Sequence, residues 1–197
     1  MESTANNGQD NWHAFKQGDE NAFAKLYQSN VKVLYAYGFK LLPDRAVIED
    51  LVQDIFIELW QKRETLSDVT SPQFYLFKIL RRRIFKSIAK NNNIFTPIDY
   101  DQELHFPIAF PKEFYIIEEE NIQNQKAHLY NCIKNLPIRQ YEVMILRFYQ
   151  DLSYTEIAKI LTINEQSVRN LIQRAVLKLR QLSVHLFFSI IFIFFIK

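Results

Sequence analysis

Gln166, Arg169, Asn170, Gln173 and Arg174 recur at intervals of one, three and four residues, so on a helix they share one stripe. Amide and guanidinium groups in such a row can pair with adenine and guanine edges in the major groove of DNA. A second set is cationic: Lys78, Arg82, Lys86 and Lys90 recur every four residues, with Arg81 and Arg83 adjacent. Tyr75 and Phe85 place rings among these charges, and cations beside rings are what gripping single-stranded nucleic acid requires. A third set is acidic. Asp50, Asp54 and Glu58 stand four residues apart with Gln53 and Gln61 beside them, which makes either a tolerated surface or a docking face for a basic partner.

Bond-making chemistry is not suggested. His13, His105, His128 and His185 are scattered without ligand spacing or a paired nucleophile, so no catalytic residue, metal site or cofactor is expected. Three glycines in 197 residues argue against a phosphate-cradling loop. The single cysteine, Cys132, excludes a disulfide framework and reads as core packing. Net charge is only +2, so affinity for nucleic acid must come from local clusters.

The elements that must hold these rows are helices. Ser153 with Glu156 forms a capping box, and Leu152 can staple onto Ile157. Asn164 is an N-cap for a second helix, with Ile163 placed to staple onto Val168, so Thr162, Ile163 and Asn164 form the turn. Val168, Leu171, Ile172, Ala175 and Leu179 give that second helix its buried stripe. The pair is a helix-turn-helix whose second helix reads bases; the plainer alternative is an αα-hairpin with a solvated polar face. Scarcity of acid on that face after Glu165 favours the reading helix.

Upstream, a helix is expected from Asn21 to Leu42, with Phe23, Leu26, Tyr27, Val31, Leu34 and Tyr35 on one face. After Pro43 and Asp44, Ile48, Leu51, Val52, Ile55, Phe56, Leu59 and Trp60 turn the acidic helix toward a core. Ser71 and Pro72 open the basic helix as N-cap and first residue, with Phe74, Phe77, Leu80, Ile84 and Ile88 buried. Its cations either meet nucleic acid or neutralise the acids one helix earlier; six cations against three anions leave an excess. Asn91 to about Glu120, broken by Pro97, Pro107 and Pro111, reads as a linker. Beyond it, Leu129, Ile133 and Leu136 mark a helical face, and Pro137 starts a helix through Val143, Leu146 and Phe148.

In this order, the acidic helix, the aromatic and basic helix, the linker and the terminal helix-turn-helix resemble the extracytoplasmic-function (ECF) class of bacterial sigma factors. DLVQDIFIELW resembles the segment that docks on core RNA polymerase, FYLFKILRRRIFKSIAK the segment that reads and melts the minus-10 element, and the stretch from Leu136 to Arg180 the minus-35 domain. The resemblance implies an all-α fold of two small domains joined by a flexible linker: residues 12–90, the linker 91–120, residues 121–183, and a hydrophobic tail 184–197. It implies core-polymerase contacts at Asp50, Gln53, Asp54 and Glu58, through a basic-lined coiled coil of the polymerase. Minus-10 contacts fall to Tyr75, Lys78, Arg81, Arg82, Arg83 and Lys86, with the loop Glu64 to Gln73 capturing a flipped base. Minus-35 contacts fall to Glu165, Gln166, Ser167, Arg169, Asn170, Gln173 and Arg174. Partners implied are core RNA polymerase, promoter DNA and an anti-sigma factor. Two positions depart from the family: Arg82 stands where Asn is usual, and Thr162 replaces a frequent turn glycine.

Met1 to Asp19 is polar and lacks the apolar run of a signal peptide, so the cytoplasm is the expected location. The run from Leu186 to Ile196 would extend about 16 Å as a helix, too short for a bilayer core of ~30 Å. It either packs on the protein's own helices, the preferred reading, or touches a membrane surface without spanning it, or is covered by a partner. Two rival classes stand beside the sigma-factor reading: a dimeric helix-turn-helix repressor or activator, and a membrane-associated interaction protein.

Overall fold

The computed structural model describes residues 10–91, 133 and 135–182. The expectations for the linker beyond residue 91, for Cys132, His105, His128 and His185, and for the tail fall outside the described residues. All regular structure within them is helical, and the chain divides into two compact units.

The first unit comprises residues 1–39 and 44–96. A helical segment over residues 10–16 leads through Gly18, at φ +92°, into α1 (Glu20–Leu41). Asp19 starts α1, its carboxylate accepting from the backbone N–H of Asn21 at 2.8 Å and of Ala22 at 3.1 Å. Asp44 caps α2 (Arg45–Lys62) in the same way, accepting from Val47 N–H at 3.1 Å. A 3₁₀ turn, Arg63–Thr65, ends α2. Ser71 then caps α3 (Pro72–Asn91), accepting from Phe74 N–H at 3.4 Å, with Pro72 in the first helical position as expected.

These helices share an aliphatic and aromatic core. Leu26, Leu34 and Tyr37 of α1, Ile48, Val52, Ile55, Phe56 and Leu59 of α2, and Phe77, Leu80, Ile84 and Ile88 of α3 are buried. Gly38 is needed for the approach of the three helices: a Cβ there would meet Ile48 Cγ2 at 3.0 Å and Ile84 Cδ1 at 3.5 Å.

Several sequence expectations are corrected here. Tyr27 is 37% exposed, its ring edge-on to Phe56 rather than submerged, while Leu51, Trp60 and Phe74 are half-buried. The polar N-terminal stretch contributes Trp12 and Phe15, at 2% and 0% exposure, to the core. Phe85, expected among the exposed charges, is 2% exposed. Successive α-helical residues turn by 100°, so a ring one position beyond Ile84 still reaches the edge of the buried stripe.

The second unit comprises residues 40–43 and 97–197. In it α4 (Ile138–Met144) runs into a π-helical turn, Ile145–Tyr149, and is followed by α5 (Tyr154–Leu161) and α6 (Glu165–Leu182). The capping box of Ser153 and Glu156 forms, with Ser153 N–H donating to Glu156 Oε2 at 2.7 Å and Glu156 N–H donating to Ser153 Oγ at 3.3 Å. Asn164 caps α6, its Oδ1 accepting from Ser167 N–H at 2.7 Å. Thr162 closes α5 in the left-handed conformation, φ 58° and ψ 44°. Against α6 and its Val168, Ile172, Ala175 and Leu179 pack both α4 and α5; Leu171, expected to be buried, is half-buried.

Candidate nucleic-acid and docking interfaces

The polar stripe of α6 forms because α6 buries its opposite face on α4 and α5. Gln166, Arg169, Asn170, Gln173 and Arg174 are all exposed, so the polar face of the helix presents amides and guanidinium groups along two successive turns. Gln166 Nε2 donates to Asn170 Oδ1 at 3.0 Å, which orders both amides before any ligand arrives. Glu165 accepts from Thr155 Oγ1 at 2.6 Å, tying the start of α6 to α5. Ser167, half-buried, has its backbone N–H committed to the Asn164 cap.

Arg169 is held rather than loose. Its guanidinium carbon lies 4.5 Å from the centroid of Tyr154, and Nη2 is 3.9 Å from Glu165 Oε2. Arg147 approaches the same ring at 5.3 Å while its Nη1 donates to Leu152 O at 2.9 Å. A ring flanked by two cations gains electrostatic attraction from each and restricts their rotamers. Tyr154 and Arg147 were not singled out from sequence; the signal available was an aromatic residue directly after a capping serine.

In the other unit α2 and α3 pack side by side. Asp50, Gln53 and Asp54 lie exposed on α2. Glu58 differs from them. Its Oε1 accepts from Lys62 Nζ, its Oε2 accepts from Arg83 Nη2 across the helix boundary, and Arg83 Nη1 lies 4.0 Å from Asp54 Oδ2. The hydrogen bond from Lys62, followed by the attraction of both cations, holds the Glu58 carboxyl below its ordinary value. Sequence had left internal neutralisation open as an alternative, and Arg83 realises it.

The cationic ladder is thereby sorted. Lys78, Arg82 and Lys86 are exposed, with no ion pair among the described residues. Arg81 is not among them: it is 7% exposed, with its guanidinium carbon 4.8 Å from the Phe85 centroid. That is a correction to the expected DNA face, and its cause is helical geometry. Arg81 falls beside Phe77 and Phe85, whose rings its stem can cover. Lys78, Arg82, Arg83, Lys62, Glu58 and Tyr75 line a cleft of about 360 Å³ floored by Ile55, Leu59 and Ile79.

The loop between α2 and α3 is braced from the N-terminal segment. Trp12 Nε1 donates to Ser67 O at 3.3 Å, and Lys16 Nζ meets Asp68 Oδ1 at 2.6 Å. Trp12 also stands edge-on to Tyr75, with centroids 5.4 Å apart. Trp12 and Lys16 were not singled out from sequence, since Trp12 and Phe15 sit three residues apart in a segment too short to show a period; Tyr75 and the loop that holds Ser67 and Asp68 were.

The family model for sigma-70 region 2 matches residues 26–94, which contain α2, α3 and most of α1, and that for sigma-70 region 4 matches residues 127–179, which contain the helix-turn-helix. Together the two spans cover more than half of the chain. The chain belongs to the sigma-70 family, in its ECF class. This sigma factor is 29% identical over 167 residues to the ECF RNA polymerase sigma factor SigX of Bacillus subtilis, covering 82% of this chain and 84% of that one. It is 26% identical over 158 residues to the ECF RNA polymerase sigma factor SigL of Mycobacterium tuberculosis, covering 79% and 85%. Among solved structures, CnrH in complex with the cytosolic domain of CnrY has a similar fold, with a TM-score of 0.63, 17% identity, and coverage of 89% and 96%. So does the sigma factor RpoE of Bartonella quintana, solved with the anti-sigma factor NepR, with a TM-score of 0.58, 20% identity, and coverage of 83% and 97%. The acidic row and the cationic ladder of this sigma factor both lie inside its region 2 match, and the polar stripe of α6 lies inside its region 4 match.

Proposed function

We propose that this chain binds core RNA polymerase, directs it to specific promoters and helps melt the minus-10 DNA so that transcription starts. The observation that carries the reading is the presence of two polar faces in one sigma-70 chain: the amide and guanidinium stripe of α6, and the exposed Lys78, Arg82 and Lys86 of α3, which have no ion pair among the described residues. In mechanism, α6 enters the major groove of the minus-35 element, where Gln166, Arg169, Asn170, Gln173 and Arg174 pair with base edges. Lys78, Arg82 and Lys86 hold phosphates of the minus-10 strand, with Tyr75 a ring on which an unpaired base stacks. Each unit raises the local concentration of DNA for the other, so the two sites reinforce one another.

Asp50, Gln53, Asp54 and Glu58 are the proposed contacts to the polymerase, whose basic coiled coil complements the charge of the three acids. The proposed boundaries are residues 12–90 for the first functional domain and 121–183 for the second. The role proposed for the chain is recognition, with the bond-making left to the polymerase. No helix among the described residues is long and apolar enough to cross a membrane, and the work proposed here belongs to the cytoplasm. An anti-sigma factor is a further proposed partner, as RpoE of similar fold was solved bound to one.

The reading is tested by size-exclusion chromatography of the purified chain with sigma-free core polymerase. Co-elution is expected, with promoter DNA retained by the complex. Tight, sequence-specific binding of DNA by the chain alone as a dimer, with no co-elution, would instead identify a conventional helix-turn-helix regulator.

A further inference from the structure

Glu58 was expected on the docking face, yet its two carboxylate oxygens turn to different cations: Oε1 to Lys62 one turn along α2, and Oε2 to Arg83 on α3. Asp54, one turn earlier, lies 4.0 Å from the other terminal nitrogen of Arg83. Arg83 lines the same cleft as Lys78 and Arg82, but only those two have no ion pair among the described residues. Two carboxylates therefore offset the charge that Arg83 could offer a phosphate. The side chain of Asp54 is 65% exposed and that of Glu58 43%, so a basic partner approaching α2 reaches both acids without unfolding anything.

We propose that Glu58 is a positioning residue for Arg83: with Asp54 it withholds that guanidinium from nucleic acid until a basic partner on α2 takes up the two acids. The inference rests on the DNA and core-docking faces proposed above. Its physical content is competition. A carboxylate that forms a charge-assisted hydrogen bond to Arg83 is less available to a lysine or arginine of the polymerase, and the converse holds with equal weight. Core docking thus releases a third phosphate-binding cation beside Lys78 and Arg82, and strand capture by Arg83 in turn frees acids for the core. The two binding events assist one another through one ion-pair cluster, with no movement of the helices.

The test is a double-mutant cycle on the full chain, with fluorescence anisotropy of a labelled oligo(dT) single strand and no polymerase. Glu58→Gln is expected to tighten the oligonucleotide by about fivefold at low salt, the upper range for a largely exposed ion pair. In an Arg83→Ala background the same substitution should change binding by less than about twofold. Glu49→Gln, which removes an acid paired to Arg45 elsewhere on α2, reports the effect of net charge alone. In the second arm Arg83→Ala is expected to bind core polymerase about threefold more tightly than the wild-type chain. A misfolded variant loses affinity, so gains in both arms cannot come from structural damage.

A Glu58→Gln gain that persists without Arg83, or one matched by Glu49→Gln, overturns the inference, as does an Arg83→Ala chain with unchanged or weaker core affinity. Failure of every form to bind the oligonucleotide overturns the proposed DNA face and this inference with it. Additive gains overturn the inference alone.

Discussion

Trp12 Nε1 donates to the carbonyl oxygen of Ser67 at 3.3 Å across 55 residues of sequence, so the N-terminal segment holds the loop that leads into the cationic helix. The indole is 2% exposed and its edge meets Tyr75, a residue of the cleft. Trp12→Ala is expected to destabilise the first unit by about 3 to 5 kcal/mol, as for other large aromatic truncations. Trp12→Phe keeps most of the packing and loses the hydrogen bond, at a cost of about 1 kcal/mol. Urea unfolding followed by tyrosine and tryptophan fluorescence measures the first. Faster amide hydrogen exchange at Ser67 and Asp68 in Trp12→Phe measures the second.

The two proposed DNA faces should respond differently to loss of one cation. Lys86→Ala is expected to weaken holoenzyme binding to all promoters alike and to reduce the slope of log affinity against log salt by about 1. Arg169→Ala is expected to cost about 1 to 3 kcal/mol and to relax preference at one minus-35 base pair only. Because Tyr154 holds the Arg169 guanidinium at 4.5 Å, Tyr154→Ala should reproduce part of that relaxation while Tyr154→Phe retains wild-type preference. Binding to a set of minus-35 variants separates the cases; a uniform loss for Arg169→Ala would assign it to phosphate.

Thr162 carries a steric cost at φ 58° that glycine would not. Thr162→Gly is expected to stabilise the second unit by about 1 kcal/mol, after the greater flexibility of glycine in the unfolded chain is set against the relief of the β-branched clash. A rise in the urea midpoint with unchanged slope is the expected result.

Acid should loosen the first unit through two carboxylates. Glu58, beside Lys62 and Arg83, and Asp68, beside Lys16, both titrate below their ordinary values of 4.5 and 3.8. A carboxyl whose folded value is depressed contributes stability in full above its unfolded value, and that contribution is lost as pH falls through the folded one. Stability of the wild-type chain should therefore fall more steeply below about pH 4.5 than that of Glu58→Gln with Asp68→Asn, which lacks both titrations. Chemical denaturation at a series of pH values from about 6 downward checks the convergence of the two curves.

Much of this was legible in the residues themselves. The capping box at Ser153, the Asn164 cap and the Ser71-Pro72 start are local rules, so sequence alone places those helix ends. The exposed stripe of α6 followed from periodicity in the same way. What sequence did not show was decided by packing between helices. Arg81 and Phe85 lie at the edge of a buried face, and only the neighbouring elements determine that the edge is covered. Glu58 belongs by spacing to the acidic row, yet its partner Arg83 is 25 residues away, a pairing set by how α2 and α3 align. The bracing by Trp12 was hidden for the same reason.

The central claim is promoter selection by this chain on RNA polymerase, and run-off transcription of fragmented genomic DNA from its own host tests it most directly. Core polymerase is used with and without the purified chain, and RNA 5′ ends are mapped. New starts that share two sequence elements at constant spacing, and that vanish when Lys78, Arg82 and Lys86 are replaced together by alanine, are the expected result. The same scattered starts with and without the chain would contradict the assignment.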